Sequence, residues 1–232
     1  MPTFRWRELR NEAFDPEYSS ATASVFRGEK IEVASVKYPA ATEVKSHAIA
    51  REQVHSVLKG KARYRVGAEE RLVSAGEAVL IRPTTSYEIQ ILENLEVVIF
   101  RDRRPGAEAR SEGSEGTAFF KWDEMKSGFI TPQYSAARGP TLTGERIEVA
   151  LFFFPAGTEG KPHSHPNEQI QVVLKGKARA FIEGEEFIIE PGWGILYPVN
   201  LRHGAQILED YTLLNCKDIV PGWSVYHARW DK

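Results

Sequence analysis

The chain repeats itself at a fixed spacing. Val57–Arg63 reads VLKGKAR, and the same heptapeptide returns at Val173–Arg179, an offset of 116 residues. IEVA occurs at Ile31–Ala34 and Ile147–Ala150, and QILE at Gln90–Glu93 and Gln206–Glu209, with the same offset and no gap. Phe4 and Trp6 likewise match Phe120 and Trp122, and Pro16 and Tyr18 match Pro132 and Tyr134. The period is far too long for a solenoid repeat and suits a small domain. Both halves must therefore take one fold, and 232 residues let each bury a core of its own. The expected layout is an N-terminal domain over 1–104, a linker over 105–116 and a C-terminal domain over 117–232. The stretch Arg103–Gly116, RRPGAEARSEGSEG, is small, polar and aperiodic, as a linker should be.

What the repeated unit folds into is legible in its short β-branched and aromatic runs. Ile31–Tyr38, Val54–Leu58, Val79–Ile81, Leu95–Phe100, Ile147–Phe154, Ile170–Leu174, Phe187–Ile189 and Tyr211–Leu214 all read as strands. Gly60, Gly76, Gly176, Gly184, Pro191-Gly192 and Pro221-Gly222 mark turns between them. Many short strands at even spacing predict an all-β chain of two tandem antiparallel barrels or jelly rolls. Helix is confined to single turns expected at Trp6–Arg10 and Trp122–Lys126.

Composition narrows the function. The formal net charge is −2 with no basic run, which argues against a nucleic-acid partner. The longest apolar run, Val149–Phe154, is too short to span a bilayer, and MPTFRWRELR lacks the apolar stretch of a signal peptide. The lone Cys216 cannot form an intrachain disulfide, in keeping with a reducing compartment. A cytoplasmic protein acting on a small anionic molecule, without membrane or nucleic acid, is expected.

The chemistry concentrates in the second copy, in KPHSHPNEQIQVVLKGKARAFIEGEEFIIEPGWGILYPVNLRHG, Lys161–Gly204. His163 and His165 stand two apart, so on an extended strand both imidazoles would share a face. Gln169 has the same parity, and His203 arrives from another strand. Three imidazoles and one amide carbonyl suit a borderline divalent metal. With no charged ligand the ion would keep its full +2 charge, which favours an anionic substrate and a Lewis-acid role.

The pattern resembles the cupin family. Its first motif is carried by Gly157, His163, His165, Gln169 and Gly176, and its second by Gly192, Pro198 and His203. The resemblance implies a bicupin with one divalent ion, whether iron, manganese, nickel, cobalt or zinc, in the C-terminal domain. A bicupin can bury within one chain the face a single cupin buries in a dimer, so a monomer is as compatible as a homodimer. HSHPNEQ at His163–Gln169 is similar to the cupins that linearise unsaturated uronates and to the bicupin isomerase of the bacilysin pathway. Both act on carboxylated carbonyl compounds by proton transfer at a metal. The uronate enzymes carry an Asp and an Arg in a segment like DVFSPPR, and NCKDIVPGW, Asn215–Trp223, has neither at those places. Uronate specificity is therefore not implied, whereas an isomerase or lyase is. A non-haem iron dioxygenase and a ligand-binding cupin without catalysis are the alternatives.

The duplication serves as an internal control. At the positions of His163, His165, Gln169 and His203 the first copy has His47, Ile49, Gln53 and Tyr87. Ile49 cannot ligate and a phenol ligates poorly unless ionised, so the first site is expected to be closed, although His55 beside Gln53 offers a partial replacement. Tyr197 and Trp193 occur only in the second copy, and Gln171 replaces His55. Tyr197 and Gln171 are the candidate proton relays, and Arg202 and Trp193 the candidate substrate contacts. Glu148 repeats as Glu32 and is read as structural; Arg179 repeats as Arg63 and is read as solvent-facing; His227 is read as a surface residue.

Overall fold

A computed structural model describes residues 3–104, 117–130 and 132–223. The expected linker, 105–116, and His227 lie outside them. The fold is all-β, and among the described residues the one helical element is a 3-10 turn at Trp6–Glu8. The helical turn expected at Trp122–Lys126 is a plain turn closed by the Glu124 N–H on the Lys121 carbonyl. Ile31–Tyr38 and Ile147–Phe154 form strands over the expected residues, and the other expected strands are each extended by a few residues. No helix among the described residues is long and apolar enough to cross a membrane.

Contacts divide the chain into two compact units, and the division does not follow the expected cut. One unit takes residues up to Glu8, Gly28–Ile31 and everything from Lys126 onward; the other takes Leu9–Arg27 and Glu32–Met125. In the first unit, one sheet runs Thr3–Arg5, Trp193–Tyr197, Gln169–Lys175, Tyr211–Asp218, Ile147–Phe154, Arg138–Gly139 and Gly128–Phe129, with Thr141–Thr143 also on Ile147–Phe154. The second sheet runs Glu159–His163, His203–Ile207, Ala178–Ile182 and Glu185–Ile189. The other unit repeats this order. Phe119–Lys121, Glu77–Ile81, Gln53–Lys59, Leu95–Asp102, Ile31–Tyr38, Thr22–Arg27 and Asn11–Ala13 form its large sheet, and Glu43–Ala48, Ser86–Ile91, Lys61–Val66 and Glu69–Ser74 its small one.

The first strand of each copy is exchanged. Thr3–Arg5 pairs with Trp193–Tyr197, and Phe119–Lys121, at the same place in the repeat, pairs with Glu77–Ile81. Trp122 follows the second of these strands and donates its indole N–H to Ser56 Oγ at 3.2 Å.

The two interiors are filled differently. The core of the Leu9–Met125 unit contains three buried tyrosines, Tyr38, Tyr64 and Tyr87. The corresponding residues of the other unit are Phe154, Ala180 and His203. Replacing a fully buried Tyr64 by Ala180 removes a whole ring from the middle of the small sheet, and the second copy is left with a cavity. Phe152, Leu213 and Ile207 pack around it, each contributing about 1.5–3 kcal/mol by leaving water. The repeated glycine of KGK has a local cause. Gly60 and Gly176 sit at φ +85° and +79°, and a Cβ would lie 2.1 and 2.0 Å from the carbonyl oxygens of Asn94 and Asp210. Only glycine tolerates both constraints.

Candidate metal centre

His163 ends the strand Glu159–His163 and stands directly opposite His203, the first residue of His203–Ile207. Gln169 opens the strand Gln169–Lys175 of the large sheet. His165 departs from the sequence reading: it lies past the strand end, in the segment between His163 and Gln169, so strand parity does not place it. That segment is held from several sides. Asn200 donates its backbone N–H to the His165 carbonyl at 2.8 Å. Asn167 Nδ2 donates to the Asp218 carbonyl at 2.7 Å, and the Glu168 N–H donates to Asp218 Oδ1 at 2.6 Å. The Glu168 carboxylate accepts the backbone N–H groups of Glu29, Lys30 and Ile31 at 2.8, 2.9 and 2.8 Å, and Lys30 Nζ reaches Asp218 Oδ2 at 3.1 Å.

The three imidazoles converge. Their candidate ligand nitrogens lie within 4.8 Å of one another, and the His163–His203, His165–His203 and His163–His165 ring centroids are 4.5, 5.0 and 5.8 Å apart. Each Nδ1 faces a backbone carbonyl two residues away: Lys161 at 2.7 Å, Asn167 at 2.9 Å and Leu201 at 2.8 Å. With Nδ1–H donating there, each Nε2 presents a lone pair to the centre. Burial above all keeps the rings neutral. It lowers the pKa of His163, takes that of His203 to about 3 and that of His165 to about 2, the Lys217 ammonium adding to the effect on each.

Gln169 Oε1 lies 2.9 Å from His165 Nε2. The tautomer that bonds Asn167 leaves both atoms as acceptors, and a shared cation reconciles them. Two cis donors about 2.1 Å from one ion stand about 3 Å apart. The residues present therefore fit a borderline divalent metal: three neutral nitrogens and one neutral oxygen.

His163, Gln169 and His203 open onto a cavity of about 70 Å³. Its wall is largely apolar, with Ile130, Phe152, Phe154 and Leu213 among its residues, and among the described residues no carboxylate lines it. Tyr197 belongs to the wall and stacks on His203 with centroids 4.0 Å apart. Burial pushes its phenol well above the usual range, so it stays protonated. Gln171 also lines the cavity and donates Nε2–H to Asn215 Oδ1 at 3.2 Å. Arg202 and Trp193 do not line it. The Arg202 side chain is exposed, and Trp193 lies beneath the Arg5 guanidinium, 4.1 Å from its centroid. The substrate contacts expected of these two are thus misplaced: a turn arginine solvates most cheaply outward, and the exchanged N-terminal strand covers the tryptophan.

Two lining residues escaped the sequence reading. Lys217 is buried beside Gln169, its partner across the strands. Tyr211 is also buried, and its hydroxyl has no hydrogen-bond partner among the described residues. The alternation Tyr211, Leu213, Asn215, Lys217 along one strand was the available signal.

In the first copy His47 keeps the same Nδ1 contact, to the Lys45 carbonyl at 2.8 Å, but its ring is stacked beneath Tyr18 at 3.8 Å and set against Tyr87 at 4.4 Å. Gln53 Oε1 accepts Arg101 Nε and Nη2, both at 3.2 Å. His55 faces Tyr64 Oη through Nδ1 at 3.3 Å. Among the described residues the cluster of His163, His165 and His203 is the one group of three or more His, Cys, Asp or Glu side chains suited to an ion.

The sheets and the site define a cupin-like protein with a candidate metal centre. Residues 150–212, a span that includes the three histidines, match the family described as "Cupin domain". No curated protein matches the sequence. Among solved structures, AerE from Microcystis aeruginosa superposes with a TM-score of 0.72 at 16% identity, covering 91% of this chain and 97% of that one. A variant of oxalate decarboxylase from Bacillus subtilis gives 0.70 at 14% identity, covering 94% and 77%. Another oxalate decarboxylase structure, described for its Mn(II) centres, gives 0.69 at 15% identity, with the same 94% and 77% covered. At such identities the likeness is one of fold.

Proposed function

We propose that this chain is a bicupin metalloenzyme of the isomerase or lyase type, acting on a small carboxylated carbonyl compound through one divalent ion held by the C-terminal copy. The observation that carries this reading is the neutral donor set, three Nε2 lone pairs and Gln169 Oε1, at the edge of an apolar cavity. When bound, the ion supplies Lewis acidity to a carbonyl oxygen beside a carboxylate. The protein does the rest. His163, His165 and His203 are held in the ligating tautomer by backbone carbonyls. The apolar wall excludes bulk water from the reacting carbon. Tyr197, protonated at any physiological pH, offers an O–H donor from the wall. Gln171, fixed by Asn215, orients a polar atom without changing charge.

The size and apolar lining of the cavity favour a keto acid of a few carbons over a polyhydroxylated sugar acid. Oxalate decarboxylase, a structural neighbour, is named for a small carboxylate, which supports the same substrate class. Enolate-type chemistry needs no change of oxidation state, so zinc, nickel or manganese should serve about as well as iron. The test is to load metal-free protein with zinc or iron and follow solvent-deuterium incorporation into keto acids together with dissolved oxygen. Exchange that persists anaerobically with zinc supports the reading. Stoichiometric oxygen uptake seen only with iron assigns a dioxygenase instead, and absence of both assigns a binding protein.

A further inference from the structure

Among the described residues the cavity contains one basic side chain beyond the imidazoles, Lys217, and its setting differs from that of its counterpart. In the first copy the corresponding residue is Arg101. Its guanidinium meets Asp15 Oδ2 at 2.7 Å, Glu32 Oε1 at 3.6 Å and Gln53 Oε1 at 3.2 Å. Every direction of that fork is committed, and Tyr64 and Tyr87 fill the space a ligand would need. In the second copy the position holds Lys217, buried and facing the cavity. Glu148 stands at the sequence position of Glu32. Asp218, the next residue along, accepts Lys30 Nζ and the Glu168 N–H through its two oxygens. The strand partners of Lys217 are Glu148 on one side and Gln169, a metal-ligand candidate, on the other.

We infer that Lys217 is the specificity-determining residue of the site, its ammonium anchoring the carboxylate of a short keto acid whose carbonyl lies at the His163, His165, Gln169 and His203 cluster. This rests on the proposed function for the presence of the ion, and adds which group selects the substrate. An ammonium has three donors, so Lys217 can keep a neighbouring carboxylate and still donate into the cavity. Exchanging Arg for Lys suits a point-charge anchor rather than a planar fork engaged on its own protein. In the surrounding apolar wall a carboxylate without a counter-charge is strongly disfavoured. A neutral ligand of the same shape meets no such discrimination.

The experiment compares two probes with the same number of non-hydrogen atoms and the same adjacent carbonyl pair: pyruvate, which is charged, and butane-2,3-dione, which is not. Binding to the zinc-loaded full chain is measured by calorimetry, with zinc content determined on each sample. The wild type should prefer pyruvate by about 10- to 100-fold. Lys217→Met and Lys217→Gln should cut that preference at least fivefold, down to the part that the charge of the ion itself supplies, while leaving butane-2,3-dione binding unchanged, and Lys217→Arg should retain most of it. A preference undiminished in folded, zinc-replete Lys217→Met, or a wild type that does not distinguish the probes, overturns the inference. Failure of the metal reading shows separately, as substoichiometric zinc in the wild type. The same comparison on metal-free protein then still reads the contribution of Lys217.

Discussion

His163, His165 and His203 each commit Nδ1 to a carbonyl two residues away, and His47 does the same without belonging to a site. The orienting contact therefore precedes function, and the number of inward lone pairs decides it. His163→Ala or His203→Ala should abolish stoichiometric metal, whereas His47→Ala should leave it unchanged; metal analysis of the purified variants checks this. A fully loaded His163→Ala protein would refute the assignment. His55 supplies a test by pH. Burial, and to a smaller extent Arg101 and His47, lower its pKa from 6.5 to about 3. Between those values the unfolded chain binds a proton that the folded chain refuses, so stability falls as pH drops through this window. His55→Gln should flatten the dependence by about one proton, or ~1.4 kcal/mol per pH unit, in urea unfolding between pH 4 and 6. An unchanged slope would mean that His55 is protonated in the native state.

At the scale of elements, the segment from Ser164 to Glu168 is where regular structure gives way to individual hydrogen bonds. Glu168 gathers three backbone N–H groups and precedes the ligand Gln169. Removing a buried charged acceptor leaves those donors unsatisfied. Glu168→Ala should thus cost about 2–4 kcal/mol in chemical denaturation and weaken metal binding at least tenfold. A stable variant with wild-type metal affinity would show the clasp to be dispensable. The strands were legible because β-branched runs and turn glycines are local signals, and the histidines that cluster were singled out by their spacing. His165 was placed for an inexact reason: its position depends on Asn167, Asn200 and Asp218, contacts that no periodicity announces. Lys217 and Ala180 were illegible for a related cause. A lysine reads as solvated and an alanine as filler until the facing strands show a cavity between them. Arg202 was singled out because it precedes His203, and Trp193 because it occurs only in the second copy; Arg202 is exposed and Trp193 lies under Arg5.

At the scale of the molecule, the duplication produced two similar sheet pairs with different interiors, one filled by Tyr38, Tyr64 and Tyr87, the other hollow beside three histidines. The exchange of first strands means that a cut in 105–116 does not separate two complete units. The fragment 1–104 would lack Phe119–Lys121 and uncover Ala78, Val79, Leu80 and Ile81, all buried in the intact chain. Expressed alone it should aggregate or remain partly unfolded, and co-expression with 117–232 should recover a soluble complex, as size-exclusion chromatography would show. Two independently soluble, well-folded fragments would contradict this.

The traded strand also bears on ancestry. A polypeptide of one copy could complete its large sheet only by borrowing from a second molecule, so its folding would depend on how many such molecules were present. Joining two copies end to end replaces that encounter with an effective concentration set by the connecting segment, on the order of millimolar. Once partnership was guaranteed by covalent linkage, the copies no longer had to remain identical. One carries Ile49 and Tyr87 where the other carries His165 and His203.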